Sequence, residues 1–496
     1  MNTFNSPLDA LWAPESVAIV GASADPKKTG GRPVAYLLKH GFEGNIWPIN
    51  PRADKIAGLP CFASVADLPS APDVAIVLLG VDRAEAAVHD LAAKGCKLAI
   101  VLASGYSEAG EEGRNRQQAL RAAAGDMRLL GPNTIGAMDL SRGIVLSASG
   151  ALEGDDIHKG GISVASQSGG ILGALLSRGA ARGIGFCKLA STGNEADLDI
   201  SDLIEAYAHD DATTVIAAYI EGIRSVEKFR RAAIAARAAG KPLVVYKVGR
   251  SESGARAAVS HTGAMAGEDR TYDALFHQVG AIRAETFSDL LDLPAMLANG
   301  RKMAGERVAI LTSTGGAGSL VADNCGLLGL DVPEIDAATG KSLADLLGQD
   351  APMTSNPVDL TLAGVEPAIM TAATQALLAS DGIDGVVVVV GSSALARPDV
   401  AVGAIRAGAR ASEKPLIAYV SPHAPHIVEL LNREGVPAFA APETCATVLK
   451  AALPQLAPPP RGSPRRPPRP GPRWRRTRRR CLGAAGPPRA SRPSRT

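Results

Sequence analysis

The stretch that decides the fold runs from residue 242 to residue 267 and reads PLVVYKVGRSESGARAAVSHTGAMAG. Residues 242–248 are apolar and β-branched, which predicts a strand buried in a parallel sheet. The loop that follows consists mainly of Gly, Ser and Ala and carries one imidazole, that of His261. Small residues let a backbone approach an anion and leave a nucleophile accessible, and open α/β sheets place ligands at the carboxyl ends of strands. We therefore interpret His261 as a functional histidine rather than a structural one.

The same alternation of strand and helix begins near the N-terminus. Strands are predicted in residues 15–23, 45–52, 74–79 and 98–102, with helices at 34–40 and 83–94 between them. This pattern predicts a Rossmann-like parallel sheet in a domain spanning residues 8–140. The turn after the first strand is not a clean GxGxxG, and Arg52 stands where an acidic residue would hold a ribose hydroxyl. A basic side chain there suits a phosphorylated ribose, as in NADP or coenzyme A.

A second unit, residues 155–298, brings four strand ends to one edge. These ends carry Ser168, Asn194, Glu221 and His261. The sequence Ser166-Gln167-Ser168-Gly169 begins a helix, and a helix start offers N–H groups and the positive end of the helix dipole to an anion. The order of elements predicts a flavodoxin-like domain.

A third unit, residues 304–455, repeats this order of elements. It has a strand and Gly-rich turn at 308–318 and central strands at 386–390 and 415–420. We expect a second flavodoxin-like domain that arose by internal duplication. A Gly turn alone does not distinguish a ligand site from a scaffold.

Composition excludes several classes of protein. The six cysteines show neither a CxxC pair nor metal-ligand spacing, so we expect no disulfide framework and no metal site. The sequence shows no signal-peptide pattern and no apolar run long enough to span a bilayer, which predicts a cytoplasmic protein without membrane partners. Residues 461–496 hold 13 of the 52 basic residues, so the preceding body has 39 basic and 50 acidic residues, a net charge of −11. An acidic body argues against nucleic acid as the main partner.

The tail, residues 457–496, differs from the rest of the chain. From residue 458 onward it contains 11 prolines and 13 arginines and no acidic residue, and we expect it to be disordered. Three interpretations are open: a basic arm for nucleic acid or membrane, a linker without a role, or the product of a frameshift in GC-rich coding sequence. We favour the frameshift, because every acidic residue and every strand or helix signal disappears at one point.

The chain resembles the α-subunit portion of the NDP-forming acyl-CoA synthetases, a superfamily that includes ADP-forming acetyl-CoA synthetase and succinyl-CoA ligase. The resemblance covers about residues 8 to 455. It rests on these motifs in this order: Gly131-Pro132-Asn133, Ser166-Gln167-Ser168-Gly169, Gly193-Asn194 with Asp197, Ser260-His261-Thr262-Gly263-Ala264 and Ser355-Asn356-Pro357-Val358-Asp359. It implies a CoA-binding domain followed by two succinyl-CoA-ligase-like domains.

The resemblance also implies a role for each matching residue. His261 would be the phosphorylated histidine, and Glu221 the carboxylate that orients its imidazole. The phosphoryl group would be bound by Ser166, Gln167, Ser168, Gly169, Gly193, Asn194 and Gly263. Coenzyme A would be bound by Gly21, Ala22, Ser23, Arg52, Ser104 and Asn133.

The implied reaction is reversible: acid, CoA and ATP form acyl-CoA, ADP and phosphate through an acyl phosphate and a phosphohistidine. ATP, ADP and Mg²⁺ would bind only to an ATP-grasp domain outside this chain, either a separate β-subunit or a lost fused domain, so we expect a homo- or hetero-oligomer. The acid remains open between acetate, other short acids and aryl acids such as ferulate. Two rival functions are a CoA-binding regulatory module and an NADP dehydrogenase; the latter gives the His261 loop no role.

Overall fold

The computed structural model describes residues 8–154, 157–254, 256 and 268–454. Within these residues the strands form three main sheets. His261 and Gly263, and the tail predicted at 457–496, lie outside the described residues.

The first sheet is parallel and contains five of the first seven strands, in the order β2-β1-β5-β6-β7. Strands β3 and β4 form a separate antiparallel pair. The strands are β1 (Ser16–Val20), β2 (Asn45–Ile49), β3 (Lys55–Ile56), β4 (Leu59–Pro60), β5 (Val74–Val77), β6 (Leu98–Val101) and β7 (Arg128–Leu130). The α-helices of this region are Asp9–Trp12, Arg32–Lys39, Val81–Lys94 and Gly110–Ala124.

The second sheet has seven strands in the order β14-β13-β12-β10-β11-β8-β9. Its strands are β8 (Gly136–Asp139), β9 (Ile144–Ser147), β10 (Lys159–Ser166), β11 (Phe186–Ser191), β12 (Val215–Ile220), β13 (Leu243–Lys247) and β14 (Ile282–Arg283). Strand β8 pairs antiparallel with both β11 and β9, whereas the other neighbours in this sheet are parallel. The described α-helices here are Gly169–Ala180, Ile200–Ala208, Val226–Ala238, Asp269–Val279 and Asp289–Leu297.

The third sheet is parallel, with the order β16-β15-β17-β18-β19. Its strands are β15 (Val308–Thr312), β16 (Val358–Asp359), β17 (Gly385–Val390), β18 (Leu416–Val420) and β19 (Ala438–Phe439). The α-helices are Gly315–Leu327, Ala337–Leu346, Pro367–Ala379, Pro398–Ala409, Pro425–Arg433 and Pro442–Ala451.

The parallel strands of the three main sheets share one topology. Numbered by their order along the chain, the five parallel strands of each sheet are arranged 2-1-3-4-5, the flavodoxin-like order. The predicted α/β class with successive parallel-sheet units is therefore confirmed. The central strands consist of buried apolar residues, because helices cover both faces of such a sheet; β17, of sequence GVVVVV, is buried throughout.

Strands β8 and β9 were not predicted as strands. They follow the last strand of the first sheet along the chain, yet they extend the second sheet at its β11 edge. Residues 136–139, which the sequence assigns to the first unit, therefore pair with the second sheet. The domain limits proposed from the sequence remain predictions.

Candidate functional site

A cavity of about 570 Å³ lies between the carboxyl ends of the first and second sheets. The first sheet contributes Leu102, which follows β6, and Asn133, which follows β7. The second contributes residues that follow β10, β11 and β12. The described lining is Leu102, Asn133, Thr134, Ile135, Gln167, Ser168, Gly169, Gly170, Gly193, Asn194, Glu195, Glu221, Gly222, Ile223 and Arg224. Three of the four predicted strand-end residues, Ser168, Asn194 and Glu221, therefore line one cavity.

The helix Gly169–Ala180 begins at the cavity wall. Ser168 is its N-cap, and the Ser168 hydroxyl accepts a hydrogen bond from the Ile171 N–H at 3.3 Å. The first turn carries no acidic side chain, so its N–H groups and dipole favour an anion. Gly169 is required by packing, because a Cβ there would lie 2.7 Å from Ile135 Cγ2. This helix start is suited to a phosphoryl group.

Ser166 is fully buried and does not belong to the described lining of the cavity. Its hydroxyl donates to the Ser168 carbonyl at 2.7 Å and accepts from the Ser168 N–H at 3.2 Å. Ser166 therefore shapes the turn into the helix, and its hydroxyl is already used within the protein.

The side chain of Gln167 joins three strand ends. Its Nε2 donates to Glu195 Oε1 at 2.9 Å and to the Gly222 carbonyl at 2.8 Å. Its Oε1 accepts from the backbone N–H groups of Glu221 and Gly222. The Gln167 N–H donates to the Tyr219 carbonyl at 3.1 Å. Both N–H groups of the Gln167 amide thus have protein acceptors, and a contact of Gln167 with a phosphoryl group stays a prediction.

Glu195 is a buried carboxyl group that the sequence interpretation did not single out. It is 5 % exposed, and its Oε1 accepts from Thr192 Oγ1, the Ile200 N–H and Gln167 Nε2. Arg224 Nε donates to its Oε2 at 3.1 Å. Burial raises the pKa of Glu195 to about 7, against the opposing effects of the Gln167 hydrogen bond and the Arg224 charge. The sequence feature that could have identified Glu195 is an acidic residue in a loop shortly after a buried strand.

Asn194 connects the cavity to the first sheet. Its Nδ2 donates to Glu108 and, at 3.2 Å, to Gln117 Oε1, while its Oδ1 accepts from Asn133 Nδ2 at 3.3 Å. Burial alone would raise the pKa of Glu108, but the hydrogen bonds from Asn194 and backbone N–H groups lower it. The Asn194 amide therefore links the loop after β11 to residues of the first unit, and its contact with a phosphoryl group stays a prediction.

Gly193 permits this close approach. It has a φ of +56°, and a Cβ at this position would lie 2.2 Å from the Pro132 carbonyl oxygen. A side chain would separate the loop that follows β7 from the loop that follows β11. The close packing of these two loops therefore requires glycine at position 193, independently of any contact between its N–H and a ligand.

Glu221 follows β12 and is half-buried at the cavity. Burial, and next the Glu221 carboxylate, raises the pKa of Tyr219 to about 12. Ile220 pairs with Lys247, the last residue of β13, so Glu221 lies beside the point where the chain leaves β13 towards residue 261. This placement is compatible with the predicted pairing of Glu221 with His261.

The residues predicted to bind CoA lie along the carboxyl edge of the first sheet. Gly21, Ala22 and Ser23 follow β1, Arg52 follows β2 and Ser104 follows β6. Arg52 and Ser104 are exposed. Of this predicted set, Asn133 alone belongs to the described lining of the 570 Å³ cavity. The edge is continuous with the cavity through the loops after β6 and β7.

The described part of the chain contains no group of three or more His, Cys, Asp or Glu residues placed to hold a metal ion. Among the described helices, none has the length and apolar character needed to cross a membrane.

Two segments of the chain match known protein families, and these matches define the class of protein. Residues 15–139 match the family described as a CoA binding domain, and residues 159–297 match the succinyl-CoA ligase like flavodoxin domain. The fold and the cavity thus belong to a protein with a CoA-binding domain followed by a succinyl-CoA-ligase-like domain.

Individual relatives narrow this class. The chain is 32 % identical over 459 residues to the α-subunit of acetate–CoA ligase [ADP-forming] II of Pyrococcus furiosus, covering 90 % of this chain and 98 % of that protein. It is 37 % identical over 355 residues to acetate–CoA ligase [ADP-forming] I of Archaeoglobus fulgidus, covering 71 % of this chain and 50 % of that protein. The dinucleotide-forming acetyl-coenzyme A synthetase 1 of Ca. Korarchaeum cryptofilum, in complex with phosphate and ADP, superposes with a TM-score of 0.80 at 30 % identity, covering 90 % of this chain and 96 % of that one.

The chain therefore belongs to the family of ADP-forming acetate–CoA ligases and corresponds to their α-subunits, which confirms the resemblance seen in the motifs. It spans about half the length of the single-chain ligases of A. fulgidus and Methanocaldococcus jannaschii that it matches.

Proposed function

We propose that this chain is the CoA-binding, phosphoryl-carrying part of an ADP-forming acyl-CoA synthetase. The observation that carries the proposal is the cavity between the two carboxyl edges, which brings the helix start at Ser168 and Gly169 and the carboxylate of Glu221 next to the edge of the first sheet. A thiol ester bound along that edge would present its reactive end to an anion site. The family membership supplies the reaction that needs such an arrangement.

In the first step phosphate attacks the acyl carbon of acyl-CoA. The carbon–sulfur bond breaks, an acyl phosphate forms and the CoA thiol leaves. The N–H groups at the start of the helix Gly169–Ala180 would stabilise the phosphate oxygens without rearranging, because they are fixed by the fold.

In the second step a neutral imidazole nitrogen of His261 attacks the phosphorus. The acid leaves as a carboxylate, and a phosphohistidine remains. Glu221 would accept a hydrogen bond from the other ring nitrogen, fixing the tautomer and stabilising the positive charge that develops on the ring. Transfer of the phosphoryl group to ADP then requires a nucleotide-binding domain, and ATP and Mg²⁺ would bind there.

Binding of CoA is assigned to the first sheet. The N–H groups of Gly21, Ala22 and Ser23 donate to protein carbonyls, so these residues would line the CoA site by close approach of the loop, and exposed Arg52 would contact the phosphate on the ribose. Ser104 and Asn133 would contact the arm that leads to the thiol. The partners of the chain would be an ATP-grasp subunit and a small carboxylic acid, and the location would be the cytoplasm.

The test is phosphorylation without nucleotide. The purified chain is incubated with acetyl-CoA and radiolabelled phosphate, and acid-labile protein-bound label is measured. His261→Ala should abolish the label, whereas His277→Ala, a change at an exposed histidine on the helix Asp269–Val279, should retain it. Equal labelling of the two variants would overturn the assignment of His261. Tight CoA binding without labelling, also in the presence of an ATP-grasp partner and ATP, would favour a regulatory CoA-binding module.

A further inference from the structure

The amide of Gln167 has one orientation that satisfies its surroundings. Its Nε2 faces two acceptors, Glu195 Oε1 and the Gly222 carbonyl, and its Oε1 faces two donors, the N–H groups of Glu221 and Gly222. Exchanging the nitrogen and oxygen would place acceptor against acceptor and donor against donor. Gln167 is also largely buried, at 9 % exposure, so leaving these groups without partners would be costly.

Glu195, in the loop after β11, is one of the two acceptors that determine the orientation of the Gln167 amide. It is itself held by donors from three places: Thr192 at the end of β11, the N–H of Ile200 at the start of the next helix, and Arg224 beyond β12. Arg224 also donates to the Asn194 carbonyl at 2.6 Å. The carboxylate therefore joins the loops that follow β10, β11 and β12.

We propose that Glu195 and Gln167 are positioning residues for Glu221: Glu195 fixes the Gln167 amide, and the amide fixes the backbone from which the Glu221 carboxylate projects at the cavity. This inference rests on the proposed function, because it takes Glu221 as the carboxylate that assists phosphoryl transfer. It assigns the Gln of the Ser166-Gln167-Ser168-Gly169 motif to the geometry of the neighbouring strand end instead of to the phosphoryl group.

A positioning role of Gln167 can be distinguished from simple packing. A residue of the same shape would keep the packing, whereas positioning requires that one side chain of the 167–195 pair donates a hydrogen bond and the other accepts it. Gln167→Glu keeps the shape but places a carboxylate against Glu195 and the Gly222 carbonyl. Combining it with Glu195→Gln restores one donor between the two side chains, because the new amide can donate to the new carboxylate.

The experiment measures the rate of acid-labile labelling from acetyl-CoA and phosphate, together with CoA affinity and the unfolding temperature. Gln167→Glu should slow labelling about tenfold or more, as expected when a hydrogen bond to a charged group is lost, with CoA affinity within about twofold of the parent. The double variant Gln167→Glu/Glu195→Gln should label faster than Gln167→Glu alone, with partial recovery, because the Gly222 carbonyl still faces a carboxylate and the Ile200 N–H loses its acceptor. No recovery in a folded double variant that binds CoA would overturn the proposal.

A second cycle tests the route through Glu221. If Gln167 acts through Glu221, Gln167→Glu combined with Glu221→Gln should label about as slowly as the slower single variant. Losses that multiply would show that Gln167 acts independently of Glu221 and would overturn the proposal. Should Gln167→Glu not fold, Glu195→Gln replaces it in this cycle. The parent chain distinguishes the two proposals. Absence of label on the parent from acetyl-CoA and from feruloyl-CoA, alone and with an ATP-grasp partner, rejects the proposed function. Normal labelling of the parent with losses that multiply rejects the positioning role alone.

Discussion

Arg128 Nε donates to Asp197 Oδ2 at 2.7 Å, and this ion pair joins the last strand of the first sheet to the loop after β11 of the second. The same carboxylate oxygen accepts the Leu129 N–H at 2.9 Å. Backbone bonds from Ala196 to Gly131 and from Leu198 to Leu129 continue the contact. This ion pair and these hydrogen bonds therefore connect the carboxyl edges of the two sheets beside the cavity.

Asp197→Ala should lower the free energy of unfolding by about 1–3 kcal/mol, because the Arg128 guanidinium and the Leu129 N–H lose a largely buried acceptor. Urea unfolding measures this change. Lys341→Ala is the matched control: it removes an exposed pair with Asp345 and should change the free energy by less than about 0.5 kcal/mol. Equal effects of the two substitutions would show that the Arg128–Asp197 pair does not support the junction.

Gly169→Ala should disturb the helix start, because the added methyl group would overlap Ile135. We expect a loss of about 1–3 kcal/mol in unfolding free energy and slower phosphorylation from acetyl-CoA and phosphate. At Gly170 an added Cβ meets nothing within 4 Å, so Gly170→Ala should not lower the stability. If both alanine variants unfold at the parent's urea midpoint, the packing argument for Gly169 is wrong.

Glu195→Gln should change how stability depends on pH. Because burial raises the folded-state pKa of Glu195 from 4.5 to about 7, the protonated carboxyl favours the folded state below about pH 4.5 and this contribution is lost as the pH rises through 7. Relative to the parent, the Glu195→Gln protein should gain up to about 3 kcal/mol of unfolding free energy between pH 4.5 and 8. Urea unfolding of both proteins across this range gives the difference. A difference that does not vary with pH would contradict the raised pKa.

Glu221→Gln should slow phosphorylation by about a hundredfold, since a neutral amide cannot stabilise the charge that develops on an imidazole. The affinity for CoA should stay within about twofold of the parent, because Glu221 follows a strand of the second sheet, whereas the residues predicted to bind CoA follow strands of the first. Rapid-quench labelling and calorimetric CoA titration measure the two effects. A parallel loss of labelling and CoA affinity would mean that Glu221 has a structural role.

Arg52→Ala should weaken CoA binding about tenfold if the exposed guanidinium contacts the phosphate on the ribose. The affinity for 3′-dephospho-CoA should then be the same for the variant and the parent. Lys55→Ala, an exposed cation in the nearby antiparallel pair, serves as the control and should change neither affinity. Equal losses for both ligands would place Arg52 away from that phosphate.

The fold could be predicted largely from the sequence, because buried parallel strands appear as apolar β-branched runs, as in β13 and β17. Strands β8 and β9 could not be predicted in this way. Each is four residues long, and the pairing of β8 with β11, to which β9 adds through β8, is decided by contacts across about fifty residues of chain rather than by a local pattern.

The candidate site could be predicted in part. Ser168, Asn194 and Glu221 meet at one cavity because parallel strands end at a common edge. The partners of each side chain were not predictable: Gln167 and Glu195 are 28 residues apart, and their hydrogen bond depends on the register of β10 against β11. For this reason the motif indicated the place of Gln167 but not the groups that its amide binds.

The most direct test of the central claim is a single turnover of the chain with acetyl-CoA and phosphate, in which released CoA thiol and phosphohistidine are both measured and the modified peptide is sequenced. We expect one equivalent of CoA to be released for each phosphoryl group retained, and the phosphoryl group to be on His261. Phosphorylation of a different residue, or CoA release without any phosphohistidine in the presence of an ATP-grasp partner, would contradict it.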